Sequence, residues 1–277
     1  MFYTYIIRYH HYSGNVSLQS SFKEFFGKDT AITNILYPTN LGSCLKELRM
    51  DVDEYIKKHS ILPYYRMFLK KEIYDSICVD MLCDAKPYVT KIKSTQRQIA
   101  KVKSNRLFYC PMCMSEDKCY ENIQIMHQLS EVHVCTMHKC YLNSVSLRPF
   151  KRLINIDEWD MNITLCDEES ILLQVVRDVE YIMKTQPELD ITTLRACLRE
   201  EAIKRTIYRD GKWNEKADAQ WKLFYDNLPE EYNIYKDVLS FNKFAARHQV
   251  IGIDAVEYLL FIQSLYGSFE MFAEVYL

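Results

Sequence analysis

Two short cysteine-containing pairs constrain this chain more than any other feature. Cys110 and Cys113 form a Cys-x2-Cys pair, and Cys135 and His138 form a Cys-x2-His pair. Two-residue spacing places both side chains of a pair on one tight turn, aimed at a common centre. Two such pairs supply the four soft or borderline donors of a tetrahedral zinc ion. The segment from Arg106 to Leu142 reads RLFYCPMCMSEDKCYENIQIMHQLSEVHVCTMHKCYL. Its loop between pairs is slightly longer than that of a plain ribbon, and Glu121 to Leu129 is the candidate for an inserted helix. Cys119, His127 and Cys140, and more distantly His133, are also ligand types that could replace one of the four. A set of Cys110, Cys113, Cys135 and Cys140 is geometrically conceivable, but regular pair spacing favours His138. A catalytic zinc keeps an open position beside a carboxylate base, as in His-Glu-x-x-His or the deaminase His-x-Glu with Pro-Cys-x-x-Cys. Neither motif occurs, so one closed, structural Zn(2+) is expected.

Composition narrows the field further. The chain has ten cysteines, and its opening, MFYTYIIRYHHYSG, has no basic region before an apolar patch that Arg8 interrupts. It therefore does not read as a secretory signal, and a cytoplasmic protein with reduced thiols and metal ligands is expected. No apolar run approaches the roughly 20 residues of a membrane helix. A formal net charge of -2 argues against coating nucleic acid by bulk electrostatics. With only six glycines, no phosphate-cradling loop can be found.

Hydrophobic spacing predicts a mainly α protein. Residues 2 to 12 are apolar and aromatic and stop at Ser13-Gly14-Asn15. Ser17 is placed to cap a second helix carrying Phe22, Phe25 and Phe26 and ending at Gly27. Leu45, Leu48, Val52 and Ile56 predict a third helix over 43–58, the trio forming a helix-turn-helix-like group, although Asp51, Asp53 and Glu54 would meet phosphates unfavourably. Pro63 opens a further helical stretch over 64–82. Residues 85–115 carry no Asp or Glu, and Lys86, Lys91, Lys93, Arg97, Lys101, Lys103 and Arg106 make it the one strongly basic stretch. It is the electrostatic candidate for nucleic-acid contact, weighed equally against a solvated linker or helix face. An acidic stretch, Asp157 to Glu169, reads as a boundary or solvated connection. Beyond it, Ile171, Leu172, Val175 and Val179, then Leu194 and Leu198, then Trp213 to Leu228, predict helices, and Asp254 is placed to cap a last helix that ends at Gly267. The expected organisation is a helical part over 1–105, a CCCH zinc finger over 106–145 and a C-terminal helical bundle over 170–277.

Several ordered motifs resemble those of the TnsD/TniQ target-selection proteins of bacterial transposons. Arg8-Tyr9-His10 with Ser13-Gly14-Asn15 is similar to their opening motif, and Leu62-Pro63-Tyr64-Tyr65 to a second. Phe108 to Cys113, then His127-Gln128-Leu129, Val132 and Cys135 to His138, resemble the family's YCPxC, HQLxxV and CxxH series in order. Ile123 stands where a tryptophan is expected and Lys139 where glycine is common. The resemblance implies that Cys110, Cys113, Cys135 and His138 are the metal ligands. It also implies a non-enzymatic role: selecting an insertion target, by binding double-stranded DNA or docking on an RNA-guided effector complex, and recruiting a AAA+ ATPase transposition regulator. A homodimer is compatible with that role. The alternative is a zinc-finger DNA-binding transcriptional regulator without transposition partners. No catalytic residues are expected: Asp157, Glu158 and Asp160 read as a solvated acidic loop, and His10-His11 with Ser13 lacks a third orienting group.

Overall fold

Several of this chain's helices start at small polar side chains that cap them. The computed structural model describes residues 8–10, 12–26, 41–82, 106–116, 123–146, 159–205, 208–209, 212–213, 223–233 and 255–277, and these are mainly helical. Chain contacts divide the molecule into two units, Met1–Pro63 with Lys71–Cys166, and Tyr64–Lys70 with Asp167–Leu277.

In the first unit, residues 8–10 and 12–13 are helical and turn at Gly14, whose φ of 69° favours glycine. Helix α1 (Leu18–Phe26) starts at Ser17, whose Oγ accepts from the Ser20 amide at 3.2 Å, the cap its position predicts. Leu18 and Phe22 are buried; Gly27 and the side chains of Phe25 and Phe26 lie outside the described residues.

The helix expected over 43–58 is two helices, α2 (Leu41–Glu47) and α3 (Val52–His59). Arg49 adopts a φ of 52° between them, and Asp51 accepts from the Glu54 amide at 2.9 Å. Apolar periodicity runs across this break, because Leu45 and Ile56 are both buried, but Leu48 falls in the turn and is exposed. Asp51, Asp53 and Glu54 thus sit at the start of α3, where their charge complements the helix dipole.

Residues 64–82 are likewise broken, into α4 (Leu62–Tyr65), a 3-10 turn at Arg66–Phe68 and α5 (Lys71–Leu82), of which Tyr64–Lys70 belong to the second unit. Helix α2 packs on α5 so closely that a Cβ on Gly42 would lie 2.4 Å from the Leu82 carbonyl oxygen. Two antiparallel pairs complete this unit: β1 (Arg106–Tyr109) with β4 (Asn143–Ser146), and β2 (Val134–Cys135) with β3 (Cys140–Tyr141). Helix α6 (Pro111–Glu116) follows β1 directly.

The second unit is built on α7 (Ile171–Thr185), α8 (Ile191–Lys204), α9 (Ala255–Tyr266) and α10 (Phe269–Tyr276). Leu172, Val175, Val179, Leu194 and Leu198 are buried as their spacing predicts. Helix α9 is buried nearly all round, from Ala255 to Leu265, as befits a helix apolar on every face. Two features differ from expectation. Gly267, at a φ of 78°, ends α9 as predicted, but Ser268 then caps α10 by accepting from the Met271 amide at 3.2 Å. Trp213 lies in a two-residue strand, β6 (Lys212–Trp213), paired with β5 (Tyr208–Arg209), instead of opening a helix. Residues 223–226 are helical; Asp254 is outside the described residues.

Asp178 ties α7 to the junction of α9 and α10. Its carboxylate accepts from Gln263 Nε2 at 2.8 Å, the Phe269 amide at 2.9 Å and Gln174 Nε2 at 3.1 Å. Burial raises its pKa to about 6, partly offset by these three donors.

Candidate metal centre

Two strand-to-turn connections bring the ligand pairs together. Strand β1 ends at Tyr109, and Pro111 occupies the first position of α6, where its fixed φ suits a helix start and its missing N–H costs nothing. Cys110 and Cys113 are thereby folded onto one turn, with the Met114 amide donating to the Cys110 carbonyl at 3.1 Å. Across the site, β2 and β3 pair Cys135 with Cys140, and the Lys139 amide closes the intervening turn on the Cys135 carbonyl at 2.8 Å. Lys139 closes it with a φ of 49°, a left-handed conformation that glycine adopts without strain.

The donor atoms of Cys110, Cys113, Cys135 and His138 all lie within 4.8 Å of one another. Cys113 and Cys135 sulfurs are 3.8 Å apart, and His138 Nδ1 is 3.4, 3.3 and 3.7 Å from the sulfurs of Cys110, Cys113 and Cys135. Bonds of about 2.3 Å to sulfur and about 2.1 Å to nitrogen around a tetrahedral ion put donors roughly 3.6 to 3.8 Å apart, so the four fit such an ion. The three cysteines are buried, and no carboxylate belongs to the cluster.

Electrostatics point the same way. Without a cation the crowded thiols are pushed far apart in acidity: hydrogen bonds from Cys113 and Cys135 hold Cys110 well below the usual thiol range, while donation to Cys110 pushes Cys113 up. Burial lowers the His138 pKa, but hydrogen bonding to Glu116 and to the sulfurs outweighs it and raises the pKa to about 9. A dication resolves this conflict by replacing the shared protons, which is why such sites bind metal with proton release.

No curated protein matches the chain. The TniQ family model matches residues 1–142, more than half of the chain. The chain belongs to the TniQ family. The match spans the whole metal cluster, and it places the protein among the transposition-associated adaptors that take part in target selection.

The TniQ motifs have legible physical roles in this structure. His127 is buried beside Cys135, whose pKa is lowered: hydrogen bonding to Cys110 acts to raise it, and hydrogen bonding from Cys113 and, to a smaller extent, from His127 outweighs that. Gln128 acts as a false strand beside β1, accepting from the Phe108 amide at 3.0 Å and donating to the Phe108 carbonyl at 2.7 Å. Leu129 and Val132 are fully buried, as is Ile123 but for a few per cent. The described part of the expected inserted helix is a 3-10 turn, Met126–Gln128, because Gln128 and His127 are drawn off to β1 and Cys135. In the opening motif, His10 Nδ1 pairs with Ser21 Oγ at 2.9 Å, Ser13 Oγ donates to the His10 carbonyl at 3.2 Å, and Asn15 donates to Ser21 and Glu24. Ser13 therefore serves the turn and not the imidazole.

Glu116, which sequence reading did not single out, accepts from His138 Nε2 at 3.0 Å. That bond leaves Nδ1 as the nitrogen facing the sulfurs, the carboxylate–histidine–metal arrangement that fixes ring orientation. Its signal in the sequence was the three-residue step from Cys113 along α6. The stretch read as a boundary or solvated connection contains the division between the two units at Cys166 and Asp167, and its exposed residues also pair with the finger. Residues 159–166 run beside β3, with the Tyr141 amide donating to the Thr164 carbonyl and the Cys166 amide to the Lys139 carbonyl, both at 2.8 Å. Trp159 stacks edge-on against Tyr109, whose hydroxyl donates to the Asp160 carbonyl at 3.1 Å.

Of the basic candidates, Lys91, Lys93, Arg97, Lys101 and Lys103 lie outside the described residues, as do Cys119, His11, Asp157 and Glu158. Arg106 is exposed, and its guanidinium donates to Ser144 Oγ at 2.8 Å and the Ser144 carbonyl at 3.2 Å across the β1–β4 pair. Among the described residues no helix is long and apolar enough to cross a membrane.

Proposed function

We propose that this TniQ protein is a target-selection adaptor in which one structural zinc ion, held by Cys110, Cys113, Cys135 and His138, fixes the fold of residues 106–145 between an N-terminal helical part over 1–105 and a C-terminal helical domain over 170–277. The adaptor bridges an insertion target to a AAA+ ATPase transposition regulator. The target is engaged either as double-stranded DNA or through an RNA-guided effector complex, and the basic stretch Lys91, Lys93, Arg97, Lys101, Lys103 and Arg106 supplies the phosphate contact. Phosphate contacts position a protein without reading sequence, so binding through this stretch is expected to be salt-sensitive and weakly sequence-selective.

The observation that carries this reading is the family match over residues 1–142 coinciding with a cluster of three buried cysteines and a half-buried histidine. Zinc is favoured over other ions because three thiolates and an imidazole in a tetrahedron suit a borderline-soft ion with no geometric preference of its own. Pull-down of the purified protein with a AAA+ ATPase transposition regulator tests the adaptor role. Retention of the ATPase, lost when the zinc site is disrupted, supports it. Salt-sensitive DNA binding with no ATPase retained would instead favour a zinc-finger transcriptional regulator.

A further inference from the structure

The cluster holds one donor more than a tetrahedral ion uses. Cys140 Sγ lies 3.4 Å from Cys110 Sγ, closer than the 3.8 Å between the sulfurs of Cys113 and Cys135. It is fully buried with the three ligand cysteines. Its backbone is pinned on both sides, by the Cys135–Cys140 register of β2 and β3 and by a bridge to Leu165. Yet it stays out of the mutually close set of four. The reason is geometric: His138 Nδ1 faces all three other sulfurs, whereas the Cys140 sulfur meets that of Cys110.

Resting on the zinc reading above, we propose that Cys140 is a standby ligand that takes the position of Cys110 whenever the Cys110 sulfur leaves the ion. A change between staggered χ1 rotamers carries a cysteine sulfur through about 3 Å, which is the displacement the exchange requires. In the step, the Cys140 S–H bond breaks and its sulfur forms a bond to the ion as the Cys110–metal bond is lost; Cys110 leaves as a thiolate and takes up the released proton through water, and nothing is oxidised or reduced. The rescue reaches the Cys110 vertex and not the Cys113 vertex, because the Cys140 sulfur meets that of Cys110.

Cobalt(II) loaded in place of zinc tests this, since the sulfur-to-cobalt charge-transfer intensity counts bound thiolates. The full-length protein is expected to show three thiolates and one metal per chain, and Cys140→Ser the same. Cys110→Ser is expected to keep three thiolates and its metal, whereas Cys113→Ser falls to two. Cys110→Ser with Cys140→Ser should also fall to two and bind at least tenfold more weakly than Cys110→Ser alone. Two thiolates in Cys110→Ser overturn the proposal, as do four in the unmutated protein; no bound metal in the unmutated protein overturns the zinc reading itself. Where Cys110→Ser fails to fold, metal release to a chelator decides: Cys140→Ser, matched to the unmutated protein in melting temperature, should release metal several-fold faster, and equal rates would overturn the proposal.

Discussion

Around Cys110 the buried groups are sulfurs and the pairing strands are two to four residues long, whereas around Leu259 the buried groups are aliphatic and aromatic and the helices run from eight to fifteen residues. Strands this short cannot hold themselves together in water. The helices can, because burial of Leu259, Phe261, Phe269 and Phe272 removes large apolar surfaces from solvent. On the proposed reading, the metal region depends for much of its order on four donor atoms, whereas the C-terminal helices depend on packing. Perturbations should separate the two.

The largest effect belongs to the metal. Stripping it with a chelator should cost the finger an apparent binding free energy on the order of 10 kcal/mol. Hydrogen exchange should then become fast over Arg106–Glu116 and Ile123–Ser146 while Ala255–Tyr276 keeps its protection; equal loss in both would break the comparison.

Acidity acts on the helices through Asp178. Its folded-state pKa of about 6 lies above the unfolded value, so its contribution is fully present below about pH 4 and is lost as pH rises towards 6. The amount is about 3 kcal/mol by linkage. Asp178→Asn keeps an oxygen for Phe269 and Gln174, and Gln263 can turn its own amide oxygen to the new donor. Melting curves should therefore lose this pH dependence in Asp178→Asn, and an unchanged profile would remove Asp178 from the account. Asp178→Ala, which orphans three donors, should instead destabilise at every pH.

Two smaller changes sharpen the description of the metal region. Glu116→Gln weakens the bond that orients His138 and should reduce metal affinity roughly 10-fold to 100-fold, read by competition with a coloured chelator. Lys139→Gly removes the strain of a φ of 49° and should raise the finger's stability by about 1 kcal/mol. A destabilised Lys139→Gly would mean that the lysine side chain contributes more than its backbone strain costs.

The ligand turns were legible because Cys-x2-Cys and Cys-x2-His fix local geometry without help from the rest of the fold. The start of α1 was legible for the same reason, through Ser17 as a local cap, and α7 and α8 were legible through apolar spacing, while their caps, Ser170 and Asp190, were not singled out. What escaped were competing local signals inside one apolar pattern. Asp51 caps α3 within a run of well-spaced Leu and Ile, and Ser268 opens α10 immediately after Gly267 closes α9. Long-range pairings escaped as well: Gln128 with β1, Glu116 with His138, and residues 159–166 with β3 all depend on partners that sequence spacing does not reveal. Lys139 is instructive between these cases. The resemblance marked a glycine position, and the structure supplies the left-handed φ that makes glycine fit there.

The most direct test of the account is metal content by elemental analysis, on the protein purified without chelator and on Cys113→Ser with Cys135→Ser. One zinc per chain, absent from the double variant together with the fold of residues 106–146, is the expected result. A protein that carries no zinc, or a double variant that folds as the unmutated protein does, would contradict it.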